Sequence, residues 1–200
     1  VQGPVAQVRI IDRDTGRELP VYRYRGDYWV AGQPGARYGV SILGQAQPLG
    51  GRIEAVVSID GVNVITGQTA SWRQTGYVLS TQQWHTITGW RKNDQEVAAF
   101  HFTALSRSYA ARTGRPDNVG VIGVAVFDEY RRPPPPVVYG NGPYSRRNAP
   151  MEQSEADGVA PPDGMSDKSA RAEAPSLGTG HGRREYSHTQ TTEFERASSN

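Results

Sequence analysis

Apolar and polar residues alternate along much of the first 130 residues. In residues 36–43 the apolar side chains are Tyr38, Val40 and Ile42, and residues 52–60 repeat the pattern. A period of two residues is typical of a strand with one buried face. Asp60-Gly61 follows the second stretch and favours a type I′ turn. The sequence therefore predicts a β-hairpin whose second strand covers residues 62–65.

Further strands are predicted at seven other apolar stretches, at 5–11, 21–24, 28–31, 76–80, 84–90, 96–103 and 119–127. Arg25-Gly26-Asp27 is predicted to form a turn. The stretch 119–127 is apolar on both faces, so we expect it to run centrally in a sheet and to be covered twice.

One short helix is predicted over residues 109–112, with Ser106 as its cap and Gly114 and Pro116 at its end. Many short strands separated by Gly, Pro and Asp turns indicate an all-β fold. We expect an antiparallel, jelly-roll-like β-sandwich with this single helix as a connector.

The composition changes abruptly after residue 130. Residues 1–130 hold 43 Val, Ile, Leu, Met, Phe, Trp and Tyr, whereas residues 131–200 hold 10 of them and nine of the 14 prolines. A segment with so few apolar side chains cannot offset the entropy cost of ordering its backbone. The expected organisation is a sandwich over 1–130, a disordered proline-rich linker over 131–176 and a short C-terminal segment over 177–200. That last segment is expected to be an edge strand or a docking peptide, with residues 193–196 as the short strand.

Charge and cysteine content exclude several classes of function. Residues 1–130 carry 13 Lys plus Arg against 11 Asp plus Glu, and the remainder carries nine of each, so we expect no nucleic-acid partner. No apolar run is long enough for a membrane-spanning helix. With no cysteine there is no disulfide framework and no thiol nucleophile. The first residues lack a basic region and an apolar region, so we expect no signal peptide within the chain.

Several blocks of the sequence form a recognisable pattern: 19–22 (LPVY), 55–64 (AVVSIDGVNV), 66–70 (TGQTA), 76–79 (GYVL), 89–92 (GWRK), 97–100 (VAAF), 108–127 (SYAARTGRPDNVGVIGVAVF) and 177–182 (LGTGHG). Together they resemble a family of uncharacterised, exported bacterial β-sandwich proteins. The resemblance implies a periplasmic or secreted location, no assigned activity, and family members that continue beyond the position of Asn200. The lack of cysteine is equally compatible with a cytoplasmic location.

Aromatic residues give the first candidate binding site. If residues 84–90 form one strand, Trp84 and Trp90 lie on the same face, with Trp72 and Tyr77 close by in sequence. Such rings can form a flat platform that stacks on a sugar ring or on an apolar partner. The alternative is that one or both of the strand tryptophans fill the core between the sheets.

A polar loop before the strand 119–127 gives the second candidate. It contains Arg112, Arg115, Asp117 and Asn118. Such a loop either faces a ligand or forms a structural corner in which Arg–Asp pairing and Asn turn chemistry satisfy the local groups.

The ionisable residues of the strand region do not form a recognisable catalytic motif. His85, His101, Glu96, Asp60 and Asp94 have no metal-ligand spacing, and the glycines in the LGTGHG block lack the strand–helix context of a dinucleotide fingerprint. We therefore assign no catalytic residue, metal or cofactor.

The expected function is a non-catalytic binding or protein-interaction module of the bacterial cell envelope, whose partner is an envelope protein or polysaccharide. The first alternative is a carbohydrate-binding accessory module that uses an aromatic platform, and the second is a metal-dependent enzyme. The oligomeric state is left open.

Overall fold

The structure, a computed structural model, describes residues 1–45, 51–131 and 177–197. This part of the chain has an all-β, sandwich-like fold of antiparallel sheets. Its strands are β1 (Ala6–Asp12), β2 (Val21–Tyr24), β3 (Asp27–Val30), β4 (Tyr38–Gly44), β5 (Arg52–Ile59), β6 (Val62–Asn63), β7 (Tyr77–Ser80), β8 (Trp84–Ile87), β9 (Gly89–Arg91), β10 (Glu96–Ala104), β11 (Ile122–Asp128) and β12 (Leu177–Tyr186). The predicted linker, beyond residue 131, lies outside the described residues.

The strands form three larger sheets and one isolated hairpin. The orders are β1-β4-β8, β12-β10-β9 and β11-β5-β6 with β7 also on β5, while β2 pairs with β3 alone. Backbone contacts join the larger sheets: Arg37 forms a bridge with His101, and Arg91 N donates to Val64 O at 2.7 Å. The described residues therefore enclose one core.

The alternating residues that predicted β4 and β5 form that core. Tyr38, Val40 and Ile42 are fully buried, as are Ile53, Ala55, Val57 and Ile59. Trp90 packs edge-on against Phe100 with a centroid separation of 4.9 Å. Burying these side chains is the main favourable term of the fold.

The predicted Asp60-Gly61 hairpin is confirmed. Asp60 and Gly61 have φ angles of 53° and 73°, as a type I′ turn requires, and β5 pairs with β6 across the turn. Asp60 is also buried, and its carboxylate accepts hydrogen bonds from the backbone N–H groups of Gly120 at 2.8 Å and Thr179 at 2.6 Å.

A single α-helix, α1 (Tyr109–Arg112), occurs in the described residues at the predicted position. The predicted cap was wrong by two residues. Ser108, not Ser106, accepts a hydrogen bond from Ala111 N at 3.1 Å, because residues 105–107 already form a 3₁₀ turn.

Two predicted strands differ from the structure. Residues 84–90 do not form one strand, since the chain breaks at Thr88 into β8, which pairs with β4, and β9, which pairs with β10. The stretch 119–127 was expected to be central, but β11 lies at the edge of its sheet and each of its residues is only half-buried.

The C-terminal segment forms its strand earlier than predicted. β12 pairs with β10 over residues 177–186, whereas residues 193–196 contribute only a single bridge, Glu129 with Arg196. The described part of this segment belongs to the same compact unit as residues 1–131.

Three arginines tie the chain after β12 to the rest of the fold. Arg91 bonds to the carbonyl and hydroxyl of Ser187, and Arg52 bonds to Thr192 and to Glu193 O at 3.0 Å. Arg196 binds Glu54 at 2.7 Å. We call residues 187–197 the C-terminal strap.

Candidate functional site

The hairpin formed by β2 and β3 stands apart from the larger sheets, and we call residues 21–30 the aromatic hairpin. Its turn residues Arg25 and Gly26 have φ angles of 51° and 88°, so the turn lies at the predicted position but has two residues, since Asp27 already pairs with Tyr24. The pairs are Val21 with Val30, Tyr22 with Trp29, Arg23 with Tyr28 and Tyr24 with Asp27. Because side chains alternate along each strand, Tyr22, Tyr24 and Trp29 share one face and Tyr28 shares the other with Arg23.

These four aromatic rings are exposed to solvent. The exposed fractions are 57% for Tyr22, 59% for Tyr24, 53% for Tyr28 and 40% for Trp29. The arginines of the hairpin lie near the rings, with Arg25 5.2 Å from the Tyr24 centroid and Arg23 5.9 Å from that of Tyr28. Tyr, Trp and Arg are the side chains that most often supply binding energy in protein interfaces.

The predicted aromatic platform is not formed. Trp90 is 2% exposed. It therefore fills the core, which was the alternative to an exposed platform. Trp84 lies on the outer face of the sheet of β4, where the Arg9 guanidinium stacks 3.6 Å from its centroid. The expectation of a shared face was wrong because the break at Thr88 places the two tryptophans in different sheets.

The other two platform residues also make internal contacts. Tyr77 on β7 accepts a hydrogen bond from Arg91 Nε at 3.1 Å, and burial raises the pKa of its phenol. Trp72 is exposed, but its ring lies 6.3 Å from that of Phe127 and its carbonyl accepts a bond from Arg196 at 3.0 Å. The structure therefore does not bring the four predicted rings together on one surface.

The polar loop before β11 contains a structural corner. Arg115 donates to Gly67 O at 3.0 Å and to Thr113 Oγ1 at 3.1 Å, and Asn118 O accepts from Val121 N at 3.2 Å. Within the described part of the chain, the expected Arg–Asp pairing does not occur, since Arg115 bonds to a carbonyl and a hydroxyl instead. Arg112 and Asp117 are exposed on the same loop.

The ionisable residues do not converge. Among the described residues no group of three or more His, Cys, Asp or Glu could hold a metal ion. Asp60 accepts two backbone bonds, and its burial raises its pKa despite them. Glu96 pairs with Arg184 at 3.3 Å and also accepts from Asn93. Asp94 O accepts from Thr189 N at 2.8 Å.

The two histidines of the same set lie in different sheets. His85 is on β8, where its Nε2 is buried without a hydrogen-bond partner. His101 is on β10 beside Gly180 of β12, and burial lowers its pKa. The ring of His101 occupies the space that a Cβ on Gly180 would need, so this glycine of the LGTGHG block has a packing role.

A cleft of about 420 Å³ opens beside His101 and is lined by Gly35, Arg37, Ala99, His101, Gly182, Arg183 and Glu185. Most of its charged groups satisfy one another. Glu185 pairs with Arg13 at 2.7 Å and with Arg37 at 3.2 Å, and Arg37 pairs with Asp14 at 2.7 Å. Bonds from Arg37 lower the pKa of Asp14. The cleft is therefore a weaker candidate than the aromatic hairpin.

No family model, curated protein or solved structure matches this chain. In the described residues, no helix is both long and apolar enough to cross a membrane.

The sequence contained a signal for the aromatic hairpin that the platform prediction did not use. Tyr22 and Tyr24 lie two residues apart in a predicted strand, and Tyr28 and Trp29 follow directly after the predicted turn. Consecutive aromatic residues in a short strand place rings on both faces. The sequence therefore placed aromatic rings on both faces of the hairpin, and the tertiary structure decided that they are exposed.

Proposed function

We propose that this protein is a non-catalytic interaction module of the bacterial envelope, periplasmic or secreted, which binds a partner protein through the aromatic hairpin. The observation that carries the proposal is the exposure of four aromatic side chains on ten consecutive residues. Exposed aromatic side chains at this density are typical of binding surfaces. The envelope location rests on the family resemblance.

The chemistry of the hairpin indicates the kind of surface that it fits. Tyr22, Tyr24 and Trp29 offer apolar ring faces together with polar atoms, Arg25 lies in the turn beside them, and Arg23 lies on the opposite face with Tyr28. The partner is therefore a protein surface with an apolar pocket bordered by carboxylates, because arginine binds carboxylates in a bidentate geometry.

Capture from an envelope extract of the source bacterium, followed by reconstitution, tests this proposal. The immobilised full chain should retain one protein, and that protein, once purified, should bind the full chain in calorimetry. Trp29→Ala and Tyr22→Ala should each weaken binding by about 30-fold, the effect of losing one interface hot spot. The matched control is Tyr186→Ala, which removes a ring that is 79% exposed at the end of β12.

Unchanged affinity in both hairpin variants, or an equal loss in the Tyr186 variant, would overturn the proposal. Urea unfolding of each variant verifies that the fold is retained, and little change is expected because the mutated rings lie outside the core.

A carbohydrate ligand is the second candidate, and one observation favours it. Tyr22 and Trp29 lie directly opposite each other on one face of the hairpin, so a sugar ring could stack across both. Trp29 fluorescence that shifts with an envelope polysaccharide and saturates, without any protein partner, would replace the protein-binding proposal with this one. Because the other three tryptophans also emit, the titration is repeated with Trp29→Phe, which should lose the shift.

A further inference from the structure

The cleft beside His101 lies on the outer face of the sheet that contains β10 and β12. His101 pairs with Gly180 of β12 on one side and forms a bridge with Arg37 on the other. Directly opposite residues of a ladder share a face, so these three residues lie on one face. Phe100 and Phe102 alternate with His101 and pack in the core, so the face of His101 points away from the core.

A β-bulge in β12 brings two more charged residues to this face. Between two regular parts of the ladder, Ala99 of β10 lies opposite both Gly182 and Arg183 of β12. One extra residue reverses the alternation of a strand, so the outward positions of β12 are even-numbered before the bulge and odd-numbered after it. Glu185 accordingly lies opposite Val97, which shares the face of Ala99. The bulge therefore turns Arg183 and Glu185 toward the cleft, which both residues line.

Arg183 supplies a positive charge that the cleft does not balance. The charges of Arg13, Arg37, Asp14 and Glu185 cancel, because these two arginines and two carboxylates pair with one another. The Arg183 side chain lines the cleft and has no hydrogen bond or ion pair among the described residues. A ligand with one negative charge would balance it, whereas a phosphate dianion would need a second unpaired cation.

The imidazole of His101 offers the cleft a neutral hydrogen-bonding group. Its side chain has no hydrogen bond within the described part of the chain. Burial lowers the pKa of His101, so at pH 7 the ring is neutral and has one donor and one acceptor nitrogen. Gly182 leaves the space beside the ring open, since a Cβ there would lie 3.3 Å from His101 Nδ1 and 2.6 Å from Ala99 O. A donor and an acceptor together suit the hydroxyl groups of a ligand.

We propose that this cleft binds a small hydroxylated carboxylic acid of the sugar-acid type. The Arg183 guanidinium pairs with the carboxylate of the ligand in a bidentate geometry, and His101 and Glu185 bond to its hydroxyl groups. Ala99 and Gly182 contact its C–H groups. The cleft volume of about 420 Å³ is within the range of about 300–1,000 Å³ that is usual for small-molecule sites. The site uses no residue of the aromatic hairpin, so it is independent of the proposed protein interaction.

NMR titration of the full chain with D-glucuronate at neutral pH and constant ionic strength tests the proposal. The imidazole C–H signals of His101, assigned by their loss in His101→Gln, should shift and saturate at millimolar or lower concentrations of the probe. D-Glucose, which has the same ring without the carboxylate, should bind about tenfold more weakly or not at all. A uronate trisaccharide is titrated in parallel. Tighter binding of the trisaccharide would assign the acid to a polysaccharide, and tighter binding of D-glucuronate would assign it to a free sugar acid.

Two neighbouring arginines provide matched variants. Arg183→Gln removes the proposed partner of the carboxylate and should weaken D-glucuronate binding about tenfold or more, with no change in the affinity for D-glucose. Arg184→Gln removes the same charge one residue further along β12, where the side chain pairs with Glu96 in an exposed salt bridge, and should change binding by less than about twofold. The His101 signals of each variant without the probe show whether the fold is retained.

The absence of a saturable shift at millimolar D-glucuronate, or equal binding of D-glucose, would overturn the proposal. Unchanged binding in Arg183→Gln, or an equal loss in Arg184→Gln, would do the same. Displacement of D-glucuronate by a lower concentration of inorganic phosphate would also overturn it and would assign the site to phosphate. If Arg183→Gln does not fold, the comparison of D-glucuronate with D-glucose on the wild type decides the outcome. Trp29→Ala should leave D-glucuronate binding unchanged, so failure of the hairpin proposal is distinguishable from failure of this one.

Discussion

The salt bridge between Arg196 and Glu54 should hold the C-terminal strap onto the fold. Arg196 Nε binds a Glu54 carboxylate oxygen at 2.7 Å, and its other two nitrogens donate to Trp72 O at 3.0 Å and Gln74 O at 2.8 Å. Its guanidinium also lies 3.9 Å from the centroid of the Phe127 ring. The substitution Arg196→Met keeps much of the side-chain length and removes all of these polar contacts.

The magnitude follows from the burial of both partners. The side chains retain 19% exposure for Arg196 and 9% for Glu54. Without Arg196, Glu54 keeps the N–H of Gly76 at 2.7 Å as its described donor. Removing one partner of a buried pair costs about 3–5 kcal/mol. Because Arg196 is not fully buried, we expect Arg196→Met to lower the free energy of unfolding by about 2–4 kcal/mol.

Urea unfolding of the full chain, followed by far-ultraviolet circular dichroism, measures this loss. With a slope of about 2 kcal/mol per molar urea, a loss of 3 kcal/mol moves the midpoint down by roughly 1.5 M. The matched control is Arg184→Met, whose salt bridge with Glu96 is exposed at 68% and 37% and should contribute less than about 1 kcal/mol. A loss below about 1 kcal/mol for Arg196→Met, or an equal loss in the control, would refute the reasoning.

Four further substitutions test other parts of the fold. Trp90→Ala should lower the free energy of unfolding by about 3–5 kcal/mol, because it leaves a cavity in the core; a loss below about 1 kcal/mol in urea unfolding would contradict that placement. Burial raises the pKa of Asp60 above 3.8, so its contribution to stability is greatest at low pH and is lost as the pH rises through the folded-state pKa. The unfolding free energy of the wild type relative to Asp60→Asn should therefore fall as the pH rises from about 3.8 through the raised pKa of the folded state, and a flat or rising difference in urea titrations would exclude this cause. Gly89→Ala should be strongly destabilising because its Cβ would meet the backbone of Ala98, whereas Gly180→Ala meets the end of the His101 side chain, which can rotate away. Thermal unfolding should show the larger drop for Gly89→Ala, and the reverse order would mean that the packing of these glycines is misassigned.

The candidate site was only partly predictable. The sequence placed both strands of the aromatic hairpin and its turn, because alternation and turn chemistry are local signals. It did not show that the hairpin stands outside the larger sheets, since the exposure of Tyr22 and Trp29 depends on which strands fail to cover them. The opposite error occurred at Trp90. The alternation in residues 84–90 was consistent with an exposed platform, but the Trp90 side chain fills the core.

The sequence by itself determined the all-β class, the buried alternation of β4 and β5, the Asp60-Gly61 turn and the position of α1. Each of these depends on interactions within a few residues. The tertiary structure decided the break at Thr88, the edge position of β11 and the pairing of β12 with β10 across more than 70 residues of chain. An alternating pattern states that a strand has two unlike faces, but it carries no information about which distant strand completes its hydrogen bonds.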